Sequence, residues 1–424
     1  MTASTEQQAE NRRNLWKAIG PGILVACAAI GGSHLVWSTR AGADYGWKLV
    51  GLVLLANLLK FPFFLYGQRY TAATGESLLD GYHRQGRFYL LLFLLINILT
   101  GAINIAGVAM LTGALLGGFG FLPGNLTSWT IAILAVCTLL ILLGHYKLLD
   151  GLAKGVIIVL SLSTLAAVAL ALGRGGATAV PNFVAPSPWN WEAFPFLVFL
   201  LGWMPAPVDL SAWSSLWIFS RSKQTGHFAT PRETSIDFYL GYIMAVVLAV
   251  AFLALGKLIM FGTGESFSDS GIAFSNQLIG LYSATIGGWS RPLILTAAFA
   301  TMFSTTLTCV DGYPRSLAAC CRIFSGHRLD FRRSHQAWIV LSVLGAAAIV
   351  VFFAKSLIHH LAFAAAVSFL TSPVLAAINF KIMYGSNVPE KQRPGLVLAL
   401  ISWLGIAFFV AMSAGFIYVQ FLRG

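Results

Sequence analysis

Gly202-Trp203-Met204-Pro205-Ala206-Pro207-Val208-Asp209 lies in the middle of an apolar run over 194–219 and interrupts it. Two prolines two residues apart remove two backbone donors, and each disfavours helix at the residue before it. No continuous helix passes through such a stretch. A second interruption, Ile30-Gly31-Gly32-Ser33-His34, sits inside the run over 18–39, which opens with Gly20-Pro21-Gly22. A double glycine followed by Ser and His is equally unsuited to an unbroken helix. One Gly or Pro in a membrane helix is ordinary. Interrupted segments at matching positions of two halves instead point to a solute site near the bilayer midplane, where unwound backbone lines a cavity rather than facing lipid.

The rest of the 424-residue chain reads as membrane. Charged residues make up 10% where a soluble chain carries about a quarter, and 57% of residues are hydrophobic. Apolar stretches long enough to cross a bilayer fall at 18–39, 47–71, 88–116, 128–145, 152–173, 194–219, 236–261, 288–312, 336–354, 357–383 and 395–421. The fold class is therefore an all-α polytopic membrane protein of about eleven transmembrane helices. The Gly-, Pro- and Trp-rich segment 174–193 divides them into five and five with one more at the end. This predicts a five-plus-five inverted-repeat transporter fold with helices one and six broken. Its expected parts are a cytoplasmic tail (1–17), a first five-helix repeat (18–173), an external loop (174–193), a second repeat (194–383) and an additional helix (395–421).

The net charge of +12 has a topological explanation. With the N-terminus inside, nineteen of the 27 basic residues fall on the cytoplasmic side, among them Arg84, Arg221, Lys223, Arg315 and Arg322. That is the positive-inside bias. It predicts a cytoplasmic N-terminus, an external C-terminus, a place in the inner or plasma membrane, and no nucleic-acid partner. The polar opening 1–14 lacks the short apolar core of a cleavable signal and reads as a tail. The five cysteines, Cys27, Cys137, Cys309, Cys320 and Cys321, have no CxxC spacing and read as small buried residues.

Gly20-Pro21-Gly22, Ala41-Gly42-Ala43-Asp44-Tyr45-Gly46-Trp47 and Thr74-Gly75-Glu76-Ser77-Leu78 resemble the opening of Nramp transporters, proton-coupled carriers of manganese and iron. Ser214-Ser215-Leu216 and Ile236-Asp237 are similar too. The resemblance implies the inverted-repeat fold and a metal site that this sequence alters. Nramp proteins ligate metal through a DPGN motif in span one and a Met before Pro in span six. Here Gly31-Gly32-Ser33-His34 stands on DPGN, so Gly31 replaces the Asp and His34 the Asn. The span-six pair falls on Met204-Pro205 or on Ala206-Pro207, depending on register. The acidic pair of span three becomes Gly101 and Asn104, and a Gln of span ten becomes Thr371.

Residue chemistry adds its own candidates. Asp209 is the one acid near either break, and an intramembrane acid either serves a solute or ion or pairs with a buried base. His34 has three chemistries open to it: metal ligation, contact with an organic solute, or structural hydrogen bonding. Ser33 and Ser211 place small hydroxyls beside the breaks, for solute or for freed backbone. Lys60, in mid-span, reads either as a charge-compensating or coupling group, together with Asn104, or as a helix-packing residue. The expected substrate set is Gly31, Ser33, His34, Met204, Ala206, Asp209 and Thr371, with His34 and Asp209 the candidate metal ligands.

No phosphate loop, HExxH or GxSxG motif occurs, which argues against an ATP-driven pump, a metalloprotease and a lipid hydrolase. A channel has no use for two matched breaks. The reading is a secondary transporter, not an enzyme, with no cofactor. Its partners are the bilayer and a small solute, and the sequence leaves the oligomeric state open, compatible with a monomer. The resemblance favours a divalent cation, and the lost ligands favour a hydrated, magnesium-like ion over manganese or iron. The alternative is a small organic solute, an amino acid or organic cation.

Overall fold

The computed structural model of the chain describes residues 13–120, 123–144, 146–353 and 357–423, and all regular structure among them is helical. Of the expected tail, 13–17 are helical and 1–12 lie outside the described residues. Span one comes in two pieces, α1 (Pro21–Ala29) and α2 (Thr39–Tyr45), joined by a bend at Ile30-Gly31 and a π-helical turn over Ser33–Ser38. Then follow α3 (Val50–Thr74), the short α4 (Leu78–Gln85), α5 (Arg87–Gly117), α6 (Leu126–Leu142) and α7 (Tyr146–Gly173). Span six is again double, α8 (Phe194–Trp203) and α9 (Leu210–Thr225), with Met204–Asp209 unwound between them. The second half continues with α10 (Pro231–Met260), α11 (Gly271–Ile286), α12 (Arg291–Phe324), α13 (Phe331–Phe353), α14 (Leu357–Ile382) and α15 (Leu396–Ile417).

Sequence signals set most ends. Capping boxes start α4 (Ser77 with Asp80), α6 (Asn125 with Ser128) and α10 (Thr230 with Glu233, Pro231 following), each satisfying two orphan donors. Gly75 and Gly226, at φ 73° and 67°, close α3 and α9 in the left-handed conformation. The start of α1 is capped from far away in sequence. The Asp237 carboxylate, on α10, accepts from Gly20 N at 3.0 Å and Gly22 N at 2.5 Å, placing negative charge at the positive end of the helix.

Each expected run holds a helix, but the structure adds α4 and α11, which no expected run covered, and carries α9 to Thr225 and α12 well past their expected ends. The apolar pattern ends span eight at 312, but α12 continues to Phe324, 34 residues in all. That is about 51 Å of helix against a hydrocarbon core of about 30 Å. The extension survives Pro314 and Arg315 because Arg315 pairs with Asp311 one turn back, Nη2 to Oδ1 at 2.7 Å and Nε to Oδ2 at 2.8 Å. This bidentate pair takes the carboxylate of a buried Asp inside the protein.

Burial separates centre from rim. In the most apolar stretch of α12, 72% of residues are buried, against 22% in α13 and in α15. The latter two therefore present most of their Leu, Val and Phe to lipid. Helix α12 packs on α5, α13 and α1, α10 packs on α1, α2 and α3, and α14 packs on α8. The two broken spans thus sit inside a ring of long helices.

Candidate functional site

The two breaks touch. Ser33 Oγ lies 3.1 Å from the Pro205 carbonyl, 2.7 Å from the Ala29 carbonyl and 2.6 Å from His34 Nδ1. Ending α1 early orphans its last carbonyls. Thr305 of α12 meets one of them, its Oγ1 2.9 Å from the Cys27 oxygen. A Cβ on Gly32 would come 2.6 Å from the Trp203 ring, so glycine is what lets the indole lie across the first break.

Between the breaks is a cavity of about 40 Å³, whose walls include Ser33, Trp203, Ala206, Asp209, Trp213 and Tyr313. Asn104, also on the wall, ties it together. Its Oδ1 accepts from Trp203 Nε1 at 3.0 Å, and its Nδ2 donates to Tyr313 Oη at 2.8 Å and Ser368 Oγ at 3.1 Å. The rings of Trp213 and Tyr313 meet edge to face, centroids 4.5 Å apart at 78°. Gly312 seats Trp213: a Cβ there would fall 2.5 Å from the indole.

Two buried polar atoms on this wall make no well-formed hydrogen bond. Asp209 is 2% exposed and sits at the N-terminus of α9. Its Oδ2 accepts from Thr100 Oγ1 at 3.3 Å, the Tyr313 hydroxyl and the Leu210 N–H also approach the carboxylate, and Oδ1 makes no well-formed hydrogen bond. Trp213 Nε1, a donor only, makes none either. Unsatisfied buried groups cost about 1–3 kcal/mol, so their presence in a cavity wall asks for an explanation.

The other expected residues are placed differently. His34 is fully buried off the cavity wall. Nε2 faces the Ala245 carbonyl at 2.9 Å and therefore carries a proton, and Nδ1 faces Ser33, so both ring nitrogens are engaged within the protein. Met204 is fully buried before a cis bond to Pro205 and does not line the cavity. Gly31 packs behind Thr305, itself a wall residue, and Thr371 Oγ1 donates to the Ser368 carbonyl at 3.0 Å; neither Gly31 nor Thr371 lines the cavity. Ser211 Oγ donates to the Val208 carbonyl at 2.7 Å and accepts from Asn379 Nδ2 at 2.8 Å. Lys60, fully buried, donates to the carbonyls of Leu201, Gly202 and Ala206 at 2.8, 2.9 and 3.0 Å. The structure thus brings Ser33, Ala206, Asp209 and Asn104 together on one surface. Among the described residues no group of three or more His, Cys, Asp or Glu stands close enough to hold a metal ion.

Residues 22–419 match the family model described as "Natural resistance-associated macrophage protein-like". The chain belongs to the Nramp family. An uncharacterised protein of Pasteurella multocida is 37% identical over 423 residues, covering 99% of this chain and 96% of its own length. Among solved structures, a single-substitution variant of the Eremococcus coleocola manganese transporter superposes with a TM-score of 0.68 at 13% identity, covering 97% of this chain and 89% of that one. MhsT in complex with L-phenylalanine gives a TM-score of 0.58 at 12% identity, covering 93% of this chain and 98% of that one. At such identities these likenesses show the fold alone, a polytopic inverted repeat.

Sequence reasoning missed Trp203, Trp213 and Tyr313 as wall residues. Aromatic residues in spans carry no distinguishing charge, and most face lipid or core. One signal was available: Trp213 stands four residues after Asp209 and so shares its face of α9.

A wider cavity of about 790 Å³ lies at one end of the bundle, bounded by α4 and the C-terminal turns of α9 and α12. Arg84, Lys223, Arg315 and Arg322 line it. The Arg315–Asp311 pair and Trp217, whose Nε1 donates to Asp311 Oδ2 at 3.3 Å, connect α9 to α12 between the two cavities.

Proposed function

We propose that this Nramp-family protein is a secondary transporter of a small organic solute bearing both a hydrogen-bond donor and an acceptor, in the manner of an amino acid. The carrying observation is that two residues of one cavity wall keep unused bonding capacity, Asp209 at Oδ1, which can accept an N–H, and Trp213 at Nε1, which can donate to an oxygen. A solute with a cationic or amide nitrogen and a carboxyl or carbonyl oxygen satisfies both. Trp203, Trp213 and Tyr313 supply aromatic faces for its carbon frame or for a cation. The 40 Å³ cavity takes waters only. Cargo of this size enters as the broken segments part, which alternating access requires.

A divalent cation is the second reading, favoured by the family and by the manganese transporters that share the fold. In that reading a magnesium-like ion keeping most of its waters sits at Asp209 with Asn104 and Ser33 nearby, and His34 joins only after leaving Ala245. Against it stands the fixed ammonium of Lys60, whose bonding partner Ala206 is itself a wall residue. The 790 Å³ cavity carries basic residues assigned to the cytoplasmic side by the positive-inside bias. It serves in our reading as the inward vestibule, with the N-terminus inside and the C-terminus outside a plasma or inner membrane. Glu76 and Asp80 share that lining, and Arg84 and Arg315 are each paired with an acid, so the vestibule itself does not select cargo by the sign of its charge.

The test is uptake by proteoliposomes of labelled amino acids and related small carboxylates and amines, beside manganese and magnesium. Saturable uptake of an organic solute abolished by Asp209→Asn supports the proposal. Saturable uptake of a dication with no organic solute transported or competing supports the second reading instead.

A further inference from the structure

The break in span six leaves backbone oxygens behind it. Helix α8 ends at Trp203, so the carbonyls of Leu201 and Gly202 are among its last four and have no partner within the helix. The helix dipole concentrates negative partial charge at the same end. The Ala206 carbonyl belongs to the unwound linker and points at the same spot. All three oxygens converge on one nitrogen, Lys60 Nζ, at 2.8, 2.9 and 3.0 Å. An ammonium has three protons and no acceptor, so three carbonyls saturate it. Lys60 is fully buried, and its stem comes from the middle of α3, a different element from the one that supplies the oxygens.

Convergent carbonyl oxygens replacing a hydration shell are how proteins hold desolvated monovalent cations. The three oxygens of this cage in contact with the ammonium are neutral backbone groups, and the Asp209 carboxylate acts on the site without bonding the ammonium, together too little direct negative charge for a dication stripped of water. The cage's geometry is a by-product of the break itself, and the one ligand not fixed by α8, Ala206, lies on the wall of the solute cavity. Holding a cation there fixes the end of α8 to the linker.

We propose that the carbonyls of Leu201, Gly202 and Ala206 form a monovalent-cation site whose permanent occupant is the Lys60 ammonium, a tethered substitute for a free sodium or potassium ion. The chain thereby carries on α3 the cation that would otherwise be drawn from the medium to hold the broken span. This role does not depend on which solute is transported.

The test uses the purified full-length chain without solute, so its failure is separable from failure of the transport reading. Melting temperatures of wild type, Lys60→Ala and Lys60→Met are compared in choline, sodium and potassium chloride at fixed ionic strength. Lys60→Ala opens the cage. It melts lower in choline and recovers, saturably and with a preference for one cation, by on the order of 3 °C. Lys60→Met fills the stem's space without charge and shows no cation preference. Wild type shows none either. A Lys60→Ala chain without a cation-specific rise overturns the proposal, and so does one that stays aggregated in every salt. A saturable sodium or potassium response in wild type also overturns it, because the cage would then not be occupied from within, and this arm needs no variant to fold.

Discussion

Ser33 Oγ lies 3.1 Å from the Pro205 carbonyl oxygen, joining the break in the first repeat to the break in the second. The hydroxyl has one proton and three acceptors in range, Pro205 O, Ala29 O and His34 Nδ1. Its bond across the breaks is therefore exchangeable for a bond within span one. Such a contact holds the two broken segments together without locking them, as a site that must open to both sides requires.

Removing that hydroxyl tests how much it holds. Ser33→Ala leaves carbonyls at the breaks and His34 Nδ1 without their partner. The expected loss is about 1–3 kcal/mol of stability, read as a lower melting temperature in detergent. A Ser33→Ala chain that melts with the wild type would mean that water already serves those acceptors.

Asp209→Asn keeps the shape and the Thr100 contact while removing the charge. Lys60 keeps its three carbonyl partners but loses the charge that acts on its ammonium, so the protein is expected to fold with a lower melting temperature. Solute affinity is expected to fall about 10- to 100-fold, the worth of a hydrogen bond to a charged group. Unchanged affinity for a solute that wild type transports would remove Asp209 from the site.

Gly312→Ala probes the aromatic wall from behind. The new methyl would sit 2.5 Å from Trp213, which must shift toward the cavity or away from Tyr313. Overpacking of this kind costs about 1–3 kcal/mol, and solute affinity is expected to fall along with the melting temperature. Retained affinity at reduced stability would show that Trp213 is scaffold only.

The breaks were legible in the sequence because Gly31-Gly32 and Pro205-Ala206-Pro207 act locally: backbone chemistry forbids helix there whatever surrounds them. The long spans were legible for the same reason that bilayers impose, a minimum apolar length. The end of α12 was not, since Arg315 reads as a stop until Asp311 is seen taking its charge. The cavity wall was half legible. Ser33, Asp209 and Ala206 lie beside the breaks and were found by proximity, and Asn104 was reached through the family resemblance. Trp213 and Tyr313 join the wall through packing between α9 and α12, which no local pattern encodes. Lys60 stood out as a charge in mid-span, yet its partners are backbone oxygens released by a break some 140 residues on, visible only once the chain is folded.

The most direct measurement is isothermal calorimetry on purified wild-type protein and Asp209→Asn, titrated with amino acids, small amides, amines and carboxylates, and with magnesium and manganese chloride. The account predicts saturable heat from a solute carrying both a nitrogen donor and an oxygen acceptor, weakened by Asp209→Asn and, more modestly, by Trp213→Phe. Saturable heat from magnesium or manganese alone, with every organic solute silent, would contradict it.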